Sequence, residues 1–564
     1  MLKSTLVYGL VFLLVPAAGA VTAQDKTIQR APKPGNISSQ KVKNFNEKIK
    51  SLEQICRDTD PIFSDSGRQL VRLSLQECIH RSLAHNLDIR IGEYDPAIRE
   101  TDITSAEAAF DAVLFASAQF DFTDRANIDS GFYNQTIITD GGKRVKRIPT
   151  NPFTNTHDYN YLTGLRKLLP TGATVQVAQQ LRRLRDMNDE GNIYRNPFYE
   201  FGLQLQVRQP LLRDFGVEVN RAAILASRNS YHISQQQFQL LLIKTCAEVE
   251  SNYWRLFASR QSVRILQELV NSAQQSLQRI RQRGKHDTQS LTIERTLAVI
   301  KRSRASLVAA QNAVEQRQEL LLQSLNDPNL PLDKIWEIVP VDQPIMTEYK
   351  VDYPQAMQAA LQGRPEIIAQ RYRLDTAGIA EDVAENQRMP RLDMFYRQET
   401  TGAGDQYHSS WDQQWSNETV NHMFGFSFEF PIGNRAAEAA YSKTQKQKQQ
   451  EKLALENISE QILTDVNNSM HNLNNSYLEI SERLAAAKAE KNVTLNHLAY
   501  QESGQRNTMS PEFLNLKLNS DERLANTRIT AVQTIIQYNL AIVDIYRAQG
   551  TLLRYYNIDV TDDE

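Results

Sequence analysis

The sequence predicts a mixed fold, long coiled-coil helices joined to a transmembrane β-barrel sheet, with the whole plan written twice. Three observations carry this. First, short segments alternate with period two: in "FGLQLQVRQ" Phe201, Leu203, Leu205 and Val207 share one face, and Phe424, Phe426, Phe428 and Phe430 form a second, sharper row. Second, long polar segments carry an apolar residue at every seventh position: Leu242, Val249, Leu256, Val263, Val270 and Leu277, then Ile293, Ile300, Leu307, Val314 and Leu321. Third, three anchors recur in the same order. "LQECIHRSLAHNLDI" matches "YPQAMQAALQGRPEI", "QPLLRDFGVEVNRAA" matches "EFPIGNRAA", and "RQRGKHD" matches "QESGQRN". Ordered self-similarity of this kind marks an internal duplication.

Each element follows in chain order. Residues 1–23 place a lysine, a short apolar run and small residues in the three-part form of a secretory signal, with cleavage after Ala20 or Ala23. The run is shorter than the ~20 residues a spanning helix needs, and neither site precedes a cysteine. Residues 24–68 read as a polar extension with a helix around Val42 to Cys56. The first repeat, 69–330, holds short helices, strands near 112–124 and 199–210, an extra hairpin at 161–181, and two long helices divided at Gly284. A Pro-rich connector with one short strand occupies 331–350. The second repeat, 351–557, has strands near 391–400 and 422–431 and long helices divided at Gly504, and 558–564 is an acidic tail.

Two lengths then decide between environments. No later apolar run could cross a bilayer as a helix, so an exported chain of this kind enters a membrane as strands. Alternation alone also fits a soluble sheet with one wet face. Here the Phe rows have no other sizeable hydrophobic layer to cover them, and a lipid-facing side opposite a polar lumen side is the expectation. The segment from Asn220 to Gly284 has no interior Gly or Pro and would reach ~100 Å as a helix, longer than a globular domain of this size requires.

Composition excludes other classes. The 564 residues carry a net charge of -2, which argues against nucleic acid as a partner. There is no phosphate loop, HExxH or GxSxG, and the nine histidines are scattered, so no catalytic residue, cofactor or metal site is assigned and an enzyme is not expected. Cys56, Cys78 and Cys246 match no metal spacing; they read as buried thiols, with a Cys56–Cys78 disulfide as the alternative. A structural or adaptor-like periplasmic coiled coil is the competing functional class, but a helical hairpin of that kind needs one pair of rods, not two pairs separated by Phe-striped strands.

From about residue 70 to 557 the chain resembles the TolC-like outer-membrane efflux and secretion proteins, most specifically in "FGFSFEFPIGNRAAEAAYSK" and "GQRNTMSPEFLNLKLNSDERLANTRITAVQTIIQYNLAIVDIYRAQGTLL". The resemblance implies a homotrimer in outer-membrane lipid, four strands per protomer in one barrel, and a helical tunnel reaching into the periplasm. It also implies a periplasmic adaptor (membrane fusion) protein and an inner-membrane pump or ABC transporter as partners. On this pattern Pro210, Gly216, Pro431 and Gly433 form the strand-to-helix joints, with Asn220 and Asn434 as helix caps. Gly284 and Gly504 become the tip turns. The gate candidates are Arg506, Glu512 and Asn515 in the second half and, in the first, Asp287, Ser290, Thr292 and Glu294. Asn515 stands where the family has a second acid, so the acidic ring is half absent. The hairpin at 161–181 is either an addition beyond the membrane or two further strands; with four strands per protomer fixed by the resemblance, an extracellular or rim hairpin is expected.

Overall fold

A computed structural model describes residue 62 and residues 68–126, 132–139, 142–149, 153–187, 196–283, 290–416, 419–502 and 511–558. The signal segment, the helix expected at 42–56 and nearly all of the acidic tail lie outside them. The first repeat opens with β1 (Gln69–Leu73), α1 (Leu75–His85), α2 (Leu87–Gly92) and α3 (Tyr94–Glu107). The boundaries have local causes: the Ser74 hydroxyl accepts the Glu77 N–H at 3.2 Å to cap α1, and the Asn86 side chain accepts the Asp88 N–H at 2.8 Å to cap α2. There follow β2 (Val113–Ala126), the separate hairpin β3 (Phe132–Thr139) and β4 (Gly142–Pro149), then β5 (Phe153–Leu168), β6 (Thr174–Asp186) and β7 (Phe198–Pro210). Two long helices, α4 (Val217–Arg283) and α5 (Ser290–Leu325), complete the repeat.

The second half restates this plan. After β8 (Trp336–Pro340) come α6 (Tyr353–Gly363), α7 (Pro365–Asn386), β9 (Arg391–Gly404), α8 (Tyr407–Trp415), β10 (Val420–Glu429), α9 (Arg435–Glu502), α10 (Pro511–Ala548) and the short α11 (Leu552–Tyr555). Equivalent helices match in length: α1 and α6 have 11 residues each, α4 and α9 have 67 and 68, α5 and α10 have 36 and 38. The connector strand β8 pairs parallel with β1, tying the junction of the halves to the start of the first.

The seven-residue series is the buried seam of the helical part. Val249, Leu256, Val263 and Val270 on α4, and Val314 and Leu321 on α5, are buried, as are Val466, Leu473 and Ile480 on α9. Within each half the two long helices lie against each other, α10 also packs on α4, and α7 lies against both α4 and α9. Leu473 and Ile480 close a cluster with Ile535, Tyr538, Ile542 and Ile545 of α10. At the junction a buried ion pair joins Arg260 to Glu337 at 3.0 Å, and the other terminal nitrogen of Arg260 donates to the Ile338 carbonyl at 3.1 Å. Cys78 and Cys246 are free and buried, and Cys56 lies outside the described residues.

The main sheet corrects one expectation. Its order is β10-β9-β7-β6-β5-β2, antiparallel throughout, so six strands rather than four belong to one wall. The 161–181 hairpin is the middle of β5 and β6, inserted between β2 and β7 along their whole length. Among the described residues the sheet is open, with β10 and β2 as its edges.

Candidate functional site

Registers fix which residues share a face. Phe201 pairs with Leu181 and Gly402, Val207 with Val175 and Tyr396, and Tyr396 with Phe424. The face built from Leu205, Val177, Leu165, Leu114 and the Phe424 row is therefore mainly apolar across all six strands. Much of it is uncovered: Phe424, Phe426 and Phe428 are 59–67% exposed, and Leu114, Phe120 and Phe122 are exposed too. Exposed apolar surface on this scale marks an interaction site, membrane included. The opposite face is mainly polar. Arg182 binds Asp158 at 2.7 Å, Gln180 binds Asn160 at 3.0 Å, and Arg208 and Arg391 both reach the Asp393 carboxylate.

One element sits on the apolar face. Helix α8 folds back over the ends of β7 and β9, where Phe201 meets Tyr407 and Trp411 edge-on, and Gln414 and Gln179 exchange amide hydrogen bonds at 3.0 Å. Gly402 and Gly404 leave the room for it. Trp415, on the same helix, stays exposed.

At the other end of the sheet stand the strand-to-helix joints. β7 ends on Pro210, where a missing ladder donor costs little. Gly216 (φ 111°) and Gly433 (φ 91°) occupy the left-handed region with open space around them, so conformation and not crowding requires glycine. The two asparagines do different work from that expected. Asn220 lies inside α4 and its amide donates back to the carbonyls of Asp214 (2.9 Å) and Gly216 (2.8 Å); Asn434 precedes α9, but its amide donates to the Arg388 carbonyl at 3.0 Å.

Sequence reasoning missed the group that ties the joints together. Asn386 at the end of α7 accepts the Asp214 N–H at 2.7 Å, the Gln387 amide donates to the Asp214 carboxylate at 2.6 Å, and Arg388 pairs with Glu438 at 2.9 Å while lying over the Tyr441 ring. The Leu169–Gly172 turn between β5 and β6 packs here as well: the Gly216 N–H donates to the Thr171 carbonyl at 3.4 Å, and a Cβ on Gly172 would stand 2.3 Å from the Asp214 carbonyl oxygen. The tight turn of the inserted hairpin is therefore at the helical end, not at a distal rim. No local signal in the sequence pointed to the Asn386 node, because all its partners are distant in the chain.

The tip turns Gly284 and Gly504 and the gate candidates Arg506 and Asp287 lie outside the described residues. Ser290 opens α5, Glu512 is the second residue of α10, and Asn515, one turn on, is half-buried. Slightly further from these breaks is a buried polar cluster that the sequence reading did not single out. Lys517 (4% exposed) reaches Asp521 at 3.4 Å and the Ser276 hydroxyl at 3.2 Å, and the Ser272 hydroxyl donates to Asp521 at 2.7 Å, linking α10 of one half to α4 of the other. A cleft of about 680 Å³ between α4, α7, α9 and α10 is lined by charges of both signs, including Lys244, Glu248, Arg364 and Asp465, interspersed with apolar residues such as Leu240 and Val543. Among the described residues no cluster has the makeup of a metal site, and no helix is long and apolar enough to cross a membrane.

The overall fold is similar to those of solved structures. The Campylobacter jejuni CmeC outer membrane channel matches 85% of this chain over 86% of its own, at 12% identity and TM-score 0.57. The open-state Neisseria gonorrhoeae MtrE outer membrane channel matches 86% over 91%, at 14% identity and TM-score 0.58. CusC, a transmembrane channel, matches 87% over 96%, at 15% identity and TM-score 0.58. The chain has the TolC-like fold. No protein-family model and no curated protein sequence matches it. These matches cover 85–87% of the chain, so the likeness is to the whole architecture and not to one domain.

Proposed function

We propose that the protein is an outer-membrane channel that passively conducts substrates, delivered by an inner-membrane transporter, across the periplasm and outer membrane. It would serve as the duct of a tripartite efflux pump or of a type I secretion system. The observation that carries this reading is the direct continuation of a sheet with one largely uncovered apolar face and one polar face into two helices about 100 Å long, each paired with a shorter one. A short turn at the helical end and longer connections at the other is the distribution of outer-membrane barrels, and it supports a periplasmic position for the helices. The similar structures named above are described as outer membrane channels, which supports the same reading.

In this reading three copies assemble, repeats 69–330 and 351–557 flank the 331–350 connector, and residues 1–23 are an export signal. An adaptor and an inner-membrane pump or ABC transporter engage the helical tip, where Gly284 and Gly504 are the turns. Arg506, Glu512, Asn515, Asp287 and Ser290 remain the gate candidates. Energy comes from the partner; opening is a rearrangement of the tip helices. The purified full chain in planar bilayers is expected to give discrete conducting steps, and Arg506→Ala to raise their conductance. Unchanged steps in the variant count against the gate role of Arg506; no steps from either protein count against the channel.

A further inference from the structure

We infer that the two open edges of the sheet pair with neighbouring copies, β10 of one against β2 of the next, so that three copies close an eighteen-stranded wall in which the inserted β5–β6 hairpin is integral. The inference rests on the trimeric channel reading above.

Four observations carry it. The hairpin spans the sheet: β5 pairs with β2 from Val113–Arg166 to Ala126–Phe153, and β6 pairs with β7 from Thr174–Arg208 to Leu184–Phe198. Both faces continue through it, with Leu165 and Val177 on the apolar side and Asn160, Gln180 and Arg182 on the polar side. Its turn packs on the β7–α4 joint, as an inner-end turn of a barrel wall does. Finally, among the described residues both edges are bare: β2 is exposed along almost all of its 14 residues and β10 along most of its 10, and the exposure continues to Ile432 at the joint and Leu453 on α9.

In hydrocarbon an unpaired edge leaves each outward N–H and C=O without a partner, so a spanning sheet must close. Closure within one chain would make six strands, fewer than the ~8 whose interior is already filled by side chains. Pairing between copies is geometrically consistent. With six antiparallel strands, β2 and β10 run in opposite directions, so β10 of one copy meets β2 of the next antiparallel and the alternation never breaks. Diameter grows about linearly with strand number, so this wall would be roughly half again as wide as a twelve-stranded one, in the range of barrels that enclose an aqueous channel. The long helices remain four per chain, so the wall must taper at the joints, where the β5–β6 turn fills the circumference without a helix beneath it.

Electron cryomicroscopy of the full chain in lipid nanodiscs tests this directly, with eighteen strands around a three-fold axis expected. A twelve-stranded wall with β5 and β6 off it overturns the inference and leaves the trimeric channel standing. A wall closed within each chain overturns both. Independently, Ser427→Cys on β10 combined in turn with Ser117→Cys, Gln119→Cys or Asp121→Cys on β2, all on the polar face, should yield covalent dimers and trimers on oxidation that the parent chain does not. Monomer alone across the panel overturns the edge pairing.

Discussion

Gly402 shows how one absent side chain decides where an element sits. A Cβ there would lie 1.9 Å from the Ser410 carbonyl oxygen and 2.5 Å from the Gln414 nitrogen, both in the backbone of α8, so no rotamer change relieves the clash. Gly402→Ala is expected to lift α8, uncover Phe201 and Trp411, and cost about 1–3 kcal/mol. Red-shifted tryptophan emission and a lower Tm in detergent check this. Glu250 on α4 presents a different constraint. Its carboxylate accepts from Tyr556 and from Trp254, yet burial is the larger effect and pushes its pKa from an ordinary 4.5 up to about 7. Between these two values the folded chain holds a proton that the unfolded chain has released, so this group's contribution is fully present below pH 4.5, declines up to pH 7 and is flat above. The span is at most about 3 kcal/mol. Glu250→Gln should remove that slope, read as a smaller difference in denaturant midpoint between pH 5 and pH 8 than in the parent. Residues with local causes were legible in the sequence: the alternating Phe424 row, and glycines at 216 and 433 beside a strand end. The Asn386–Arg388 node was not, since its bonds span 46 to 174 residues.

At the scale of elements, periodicity located the helices and their buried seam, because a seven-residue repeat places every marked residue on one face. It could not say that Lys517 and Asp521, one turn apart on α10, would be buried against Ser272 and Ser276 of α4. Such a link depends on how the two repeats pack side by side. Asp521→Ala leaves the buried Lys517 ammonium with the Ser276 hydroxyl as its partner among the described residues and should cost about 3–5 kcal/mol, whereas Lys517→Met with Asp521→Leu should be close to neutral. Denaturant unfolding of the three proteins checks the ordering; equal losses in both variants would contradict it. The β5–β6 hairpin makes the same point for strands. Alternation and a Pro-Thr-Gly turn predict a hairpin, but which strands flank it is set by register with partners elsewhere in the chain, so the expected distal hairpin gave way to two strands inside the wall.

For the whole molecule, each half sends strands into the sheet and returns as a long helical pair. The two joints keep the same small, conformationally demanding residues; in the structure α1 and α6 have 11 residues each and α4 and α9 have 67 and 68, while α2 and α3 stand opposite the single α7. What repeats cannot encode is the departure from symmetry: the first half carries the extra hairpin, the second carries α8. The central claim is that the apolar face meets lipid and the polar face meets water. Spin labels placed singly along β10 test it most directly. At His422, Phe424, Phe426 and Phe428 the label should be relaxed by oxygen dissolved in lipid, and at Asn421, Met423 and Ser427 by a water-soluble paramagnetic complex, giving a period of two. Equal aqueous access on both faces, or protein shielding of the whole Phe row, would contradict the account.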